Sequence, residues 1–200
     1  MGCDVLTTLV VIPTRGTRPD MLREAVESVH RQTVPANQIV IANGGGTLSD
    51  RLNDAIGTSP CESYVMLSDD DTLEPQFLEK TSTRMANASV EIVNTRYTHF
   101  GTESCVTGSE NHISVTSLFR KSAWEKAGGY KEVPCFDYDF VLTCIETGAT
   151  RSFIDEPLWR YRIHASQEGN SWNIKAATKA VLARHPWATG EPEDRFKLLK

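Results

Sequence analysis

The sequence has no apolar run approaching the roughly 20 residues that a membrane helix needs, so no membrane insertion is expected. It has no CxxC pair. The five cysteines, Cys3, Cys61, Cys105, Cys135 and Cys144, are odd in number and scattered. That argues against a disulfide framework and a zinc site, and for reduced thiols in a cytoplasmic compartment. It has no basic excess either: Lys and Arg total 21 against 26 Asp and Glu, a formal net charge of −5. Such a balance leaves no overall footprint for nucleic acid. Met1 to Thr8 carries Asp4 and no basic segment followed by an apolar stretch, so no signal peptide is expected. There is no internal repeat, low-complexity tract or linker.

What is present is ordinary globular material, 40% hydrophobic and 24% charged over 200 residues, enough to bury one substantial core. Leu9-Val10-Val11-Ile12 is a continuous apolar run ending at Pro13, as suits a strand buried on both faces of a parallel sheet. Thr17-Arg18-Pro19-Asp20 reads as a helix start, with proline early and an acid in the first turn. Met21, Leu22, Ala25, Val26 and Val29 follow at helical spacing. Gln38 to Ala42 reads as a second strand, broken by Asn43-Gly44-Gly45-Gly46. Leu48, Leu52, Ala55 and Ile56 mark a helix, and Tyr64 to Leu67 a third strand. This alternation builds an α/β sheet in which sequential strands neighbour one another.

Beyond residue 85 the pattern loosens. Val90 to Tyr97 reads as a strand and residues 98–114 as a polar loop. Ser122-Ala123-Trp124-Glu125 fits a capping box opening a helix that Gly128-Gly129 closes. Phe140, Val141, Cys144 and Ile145 are spaced for a helix ending near Gly148. Trp159, Tyr161 and Ile163 alternate like a half-buried strand, residues 173–185 look helical, and the last dozen residues are expected to fray.

Ser68-Asp69-Asp70-Asp71 follows the third strand, and sheets of this kind bind ligands at the carboxyl ends of their strands. Hard carboxylate ligands there suit Mg²⁺ or Mn²⁺ bridging to a phosphate. Taken alone, the commoner meaning of such a triplet is a solvated acidic turn, with Asp71 capping the helix that Pro75 helps start. Asp137-Tyr138-Asp139 stands just before an apolar helical pattern. A carboxylate at a helix start is kept ionised, as a general base requires; taken alone, a helix cap is the commoner reading. His164, after the alternating strand, suits a metal or phosphate ligand or simply a polar strand end.

Together and in order, these segments resemble the family 2 glycosyltransferases of the GT-A fold. Val11-Ile12-Pro13-Thr14-Arg15 is similar to the family's opening strand, whose end cradles the nucleotide. Leu22 to Gln32 resembles its first helix, Asn53 the Asn of its Arg-Asn helix, and Leu67-Ser68-Asp69-Asp70-Asp71 its metal-binding segment. Ser117-Leu118-Phe119-Arg120, Trp124 and Gly128-Gly129-Tyr130 resemble its acceptor-side segment. Phe136-Asp137-Tyr138-Asp139 resembles its Glu-Asp motif, and Tyr161-Arg162-Ile163-His164 its late Tyr-Arg-x-His. The family's base-reading Asp after the second strand is here Ala42-Asn43, Ser68 replaces the first acid of the metal motif, and Phe136 replaces the Glu before the base.

The resemblance implies a GT-A (Rossmann-like) α/β fold with a mostly parallel central sheet flanked by helices. It implies one domain over 1–200, with its core at about 8–168 and a C-terminal helix and tail over 169–200. It implies an inverting transfer of sugar from a nucleotide-diphosphate donor, expected to be a UDP-sugar, to an acceptor hydroxyl deprotonated by Asp137. Pro13, Thr14, Arg15, Asn43, Asn53, Asp69 and Asp70 would contact the donor, and Asp69, Asp71 and His164 would hold Mn²⁺ or Mg²⁺. Residues 101–114 are candidates for a loop that orders over donor and acceptor. The acceptor is expected to be a glycan or small molecule; a hydroxylated base in DNA, as glycosylated in some bacteriophages, is a further option. The alternatives are a nucleotidyltransferase of similar fold, which would release pyrophosphate, and an inactive nucleotide-sugar or glycan-binding module.

Overall fold

The computed structural model describes residues 6–101, 106–107, 113–165 and 174–188. Most of the candidate lid over 101–114, the last dozen residues, Cys3 and Cys105 lie outside the described residues. The first strand, β1 (Thr8–Pro13), is buried along its whole length. It lies between β2 (Gln38–Ala42) and β3 (Ser63–Met66) and is parallel to both, with Val10 opposite Ile39 on one side and Val65 on the other. The three expected strands are therefore adjacent.

The apolar run of β1 has no polar member because both sheet faces are covered. Leu9 and Val11 join the core under α2 (Leu48–Thr58), with Leu52, Ile56, Tyr64 and Phe140. Val10 and Ile12 join the opposite core, with Ala25 and Val29 of α1 (Pro19–His30) and Phe77 and Leu78 of α3 (Phe77–Met85). All four β1 side chains have zero exposure, and each fully buried aliphatic contributes about 1.5–3 kcal/mol.

Past α3 the sheet continues through β5 (Ile92–Phe100), β7 (Leu118–Arg120) and β8 (Arg151–Arg162). The strand order is β2-β1-β3-β7-β5-β8-β4, where β4 is Thr72–Leu73, and β6 (Val106–Thr107) pairs with β5 off this path. The long ladders β1–β2, β1–β3 and β5–β8 are parallel. The antiparallel pairings are short, two or three residues each. The sheet is thus mostly parallel, with antiparallel joints.

Two local expectations are corrected. The stretch 98–114 is not wholly loop, since β5 runs on to Phe100 and β6 takes up Val106–Thr107, where the two strands pair. The helix α4 (Lys121–Ala127) begins before Ser122, with Arg120 at its cap and no side-chain capping bond. The Ser122–Glu125 box does not open it, because β7 runs directly into the helix. Distant carbonyls take the first N–H groups instead: Arg120 N donates to Glu91 O and Lys121 N to Glu62 O, each at 2.8 Å. The closing glycines behave as expected, Gly128 having φ 71° and Gly129 φ 74°. Gly129 is also sterically required, since a Cβ there would lie 2.7 Å from Asn53 Oδ1. The last two helices are α5 (Phe136–Glu146) and α6 (Ile174–Arg184).

Candidate active site

A cavity of about 280 Å³ opens at the carboxyl ends of β1 and β3, where the sheet topology predicts a ligand. Pro13, Thr14, Arg15 and Arg18 line it from the β1–α1 connection, Ser68, Asp69 and Asp70 from the end of β3, and Leu48 and Arg51 from α2. Val115, Phe136, Asp137 and Tyr161 close the other side.

The acidic triplet is not a solvated turn. Asp69, Asp70 and Asp71 are only 2%, 9% and 2% exposed, and α3 starts at Phe77 behind Gln76, so Asp71 caps no helix. Buried carboxylates need partners, and all three find them. Asp69 accepts hydrogen bonds from Thr14 Oγ1 and from Arg18 Nη2, both at 2.5 Å. Asp70 Oδ2 accepts from Arg18 Nη1 at 2.6 Å and lies 3.1 Å from His164 Nε2. Asp71 Oδ1 accepts the backbone N–H of Arg162 at 2.9 Å. Burial, and then the adjacent charge of Asp70, hold the Asp71 carboxyl well above the ordinary carboxylate range, while the Arg162 bond opposes the shift.

The three members of the metal set that the resemblance implies, Asp69, Asp71 and His164, each have another partner in this structure. Asp71 does not line the cavity, and His164 meets Asp70 rather than Asp69 or Asp71. Among the described residues no three His, Cys, Asp or Glu side chains converge as a metal site. Yet the Asp70–His164 pair fits a hard divalent ion. The 3.1 Å spacing is that of a hydrogen bond; what suits a divalent ion is the donor set, the two cavity-lining carboxylates Asp69 and Asp70 with the imidazole of His164 beside Asp70. Two or three protein ligands, with Asp69 beside them, leave the remaining positions to substrate oxygens and water, the usual arrangement for Mg²⁺.

The expected donor contacts divide into three groups. Pro13, Thr14, Arg15, Asp69 and Asp70 face the cavity. Asn43 lines a separate cavity of about 420 Å³ with Gly44, Gly45 and Asp50; Arg51 borders both. Asn53 lines neither cavity and is a staple. Its Oδ1 accepts from Trp124 Nε1 at 3.1 Å and Tyr130 N at 2.8 Å, and its Nδ2 donates to Tyr130 O at 2.8 Å. That fixes α2 to the turn after α4.

Asp137 faces the cavity half-buried, in the first turn of α5 rather than at its cap. The cap is Cys135, the only non-glycine residue with positive φ among those described, at φ 51°. A left-handed non-glycine residue is uncommon and mildly strained. Asp139, two residues on, turns into the protein with zero exposure. Its Oδ1 accepts from Arg184 Nε at 2.6 Å and lies 3.1 Å from His185 Nε2. His185 Nδ1 in turn lies 2.9 Å from Glu146 Oε1.

Sequence reasoning missed Arg18, Arg51 and Tyr161. A signal for Arg18 was available: a cation beside a helix N-terminus opposes the helix dipole unless a counter-charge faces it. Arg51 donates to Thr14 O at 2.8 Å, bracing the loop after β1.

No family profile matches this sequence, and no curated protein matches it. Solved structures do. Residues 1–349 of TarS from S. aureus, in complex with UDP-GlcNAc, superpose with a TM-score of 0.73 at 12% identity, covering 96% of this chain and 70% of that one. A mannosyltransferase from Pyrobaculum calidifontis, in complex with GDP-Man and Mn²⁺, gives 0.67 at 12% identity, covering 96% and 67%. The fold is the GT-A fold of nucleotide-sugar glycosyltransferases. Against the longer TarS structure the TM-score is 0.69 at 10% identity, and the match spans only 42% of that chain. Identities this low carry the fold alone. Among the described residues no helix is long and apolar enough to cross a membrane.

Proposed function

We propose that the chain is an inverting, metal-assisted glycosyltransferase acting on a nucleotide-diphosphate sugar, with a UDP-sugar as donor. One observation carries this reading: a single cavity is lined by the Asp69–Asp70 pair, by the three arginines Arg15, Arg18 and Arg51, and by Asp137. The diphosphate would lie against Arg15, Arg18 and Arg51. The base would extend past Arg51 toward Asn43, whose amide can hydrogen-bond a base edge.

Asp137 takes the proton from the acceptor hydroxyl, and the acceptor oxygen bonds to the anomeric carbon. The bond from that carbon to the diphosphate oxygen breaks, its electron pair leaving on the nucleoside diphosphate. One displacement inverts the anomeric configuration. The arginines, fixed before reaction, stabilise the charge that develops on the leaving group. A divalent ion held by Asp70 and His164, with Asp69 beside them, would supply Lewis-acid neutralisation of that same charge. Phe136, Val115 and Tyr161 offer apolar surface to a glycan or small-molecule acceptor. The free thiols of Cys61, Cys135 and Cys144 suit a reducing, cytoplasmic setting.

The test is incubation with UDP-GlcNAc and with GDP-mannose in Mn²⁺, with and without chelator, quantifying nucleoside diphosphate. Slow, metal-dependent release of UDP or GDP is expected. Release of pyrophosphate would assign nucleotidyl transfer, and binding without any release would assign an inactive sugar-nucleotide module.

A further inference from the structure

Arg18 is the residue before a proline, which disfavours helical backbone conformation there; its φ is −130° and its ψ 62°. From that position its fork spans two different carboxylates, Nη2 on Asp69 Oδ1 at 2.5 Å and Nη1 on Asp70 Oδ2 at 2.6 Å. A bidentate guanidinium usually grips a single carboxylate. Here it ties neighbouring residues together, its single positive charge shared between two carboxylates. The Asp70 oxygen it holds is the one that His164 approaches. A guanidinium 2.6 Å from that oxygen disfavours a divalent ion there, because the two cations repel each other and compete for one acceptor. Arg18 Nε is buried and has no hydrogen-bond partner among the described residues. Its side chain is 22% exposed and lines the cavity. A buried, unsatisfied, charged donor beside an open cavity asks for an anionic acceptor.

We infer that Arg18 is the resident cation of this site, one that keeps a divalent ion off Asp69 and Asp70 until a nucleoside diphosphate draws the guanidinium to its phosphates. This rests on the donor-binding reading above. Its consequence is synergy: metal alone binds poorly, diphosphate alone binds through Arg18, and the two together bind well. Each ligand relieves the cost that the other meets, and the coupling is reciprocal. Arg18 thereby makes metal loading conditional on donor.

The experiment measures Mn²⁺ binding by electron paramagnetic resonance for the wild type, Arg18→Gln and Arg18→Lys, with and without UDP. UDP binding in chelator is measured by calorimetry alongside. Arg18→Gln should bind Mn²⁺ alone about tenfold tighter or more, yet bind UDP alone about tenfold weaker, since each decade is one lost or gained charge contact. Arg18→Lys, a point charge without the fork, should fall between and serves if the Gln variant does not fold. UDP should tighten Mn²⁺ binding strongly in the wild type and weakly in Arg18→Gln. Opposite shifts for metal and nucleotide are not what general damage produces. If both variants bind Mn²⁺ alone no better than wild type while Mn²⁺ with UDP still binds, the competition is refuted and the donor site stands. If no protein binds UDP or Mn²⁺ under any condition, the donor-site reading itself fails and this inference with it.

Discussion

Two short acidic segments meet opposite fates in this protein. Asp69-Asp70-Asp71 leaves the end of β3 and is buried: Asp69 and Asp70 share the Arg18 guanidinium, with a hydroxyl and an imidazole added, and Asp71 takes a backbone N–H. Asp137-Tyr138-Asp139 enters α5 and splits, Asp137 toward the cavity and Asp139 into a network with Arg184 and His185. After a strand, a tight turn gathers consecutive side chains around one point. On a helix, residues two apart project about 200° from each other, so one carboxylate faces the cavity while the other turns into the protein behind it.

The sharpest way to break this contrast is Asp137→Asn. It keeps shape but cannot accept a proton, so turnover should fall by about 10²- to 10⁴-fold. UDP affinity by calorimetry should hold, and stability should stay within about 1 kcal/mol. Normal turnover would make both acids of α5 structural.

The mirror experiment is Asp139→Ala. It takes the partner from Nε2 of His185, which is 3% exposed and keeps Glu146 on its other nitrogen, and it removes the partner of Arg184. The expected loss in urea unfolding is about 3 kcal/mol, the low end for a broken buried ion pair because Arg184 is half exposed. UDP affinity at low temperature, where the variant stays folded, should change little. A wild-type midpoint would mean that this network contributes nothing to holding α6.

The smallest effect belongs to Asp71 and appears in the pH dependence of stability. Its carboxyl is raised above 3.8 by burial and then by Asp70. A group whose folded pKa lies above its unfolded value contributes stability fully below the unfolded pKa, and loses it as pH rises through the folded one. In chelator, the wild type should therefore lose stability relative to Asp71→Asn as pH rises above 3.8, and the gap should close below it. Thermal melts of the two proteins across acidic and neutral pH measure this; parallel curves would show that Asp71 titrates like a free acid.

Much of the frame was legible along the chain. The strands β1, β2 and β3 announce themselves as apolar runs because a parallel sheet covered on both faces tolerates no alternation. The helix α1 announces itself through Pro19, Asp20 and its apolar spacing. The site was legible as a location, at the ends of β1 and β3, and Asp137 as a carboxylate in a helix start. The partners were not. Asn53 resembles a nucleotide contact but staples Tyr130, 77 residues away. Asp71 resembles a metal ligand but accepts from Arg162, 91 residues away. The Ser122–Glu125 box has the right letters, yet Glu62 and Glu91 carbonyls reach the helix start first. Polar side chains are promiscuous, and a short motif says what a residue can bind without saying what comes within 3 Å of it.

The sequence by itself determined the layer order of this protein, because hydrophobic periodicity depends only on neighbours along the chain. Only the tertiary structure decided which carboxylates face the cavity and which are consumed in holding it open. Each buried charge must be answered by a specific partner, and those partners, Arg18, Arg162, His164 and Arg184, come from elements that only folding brings together.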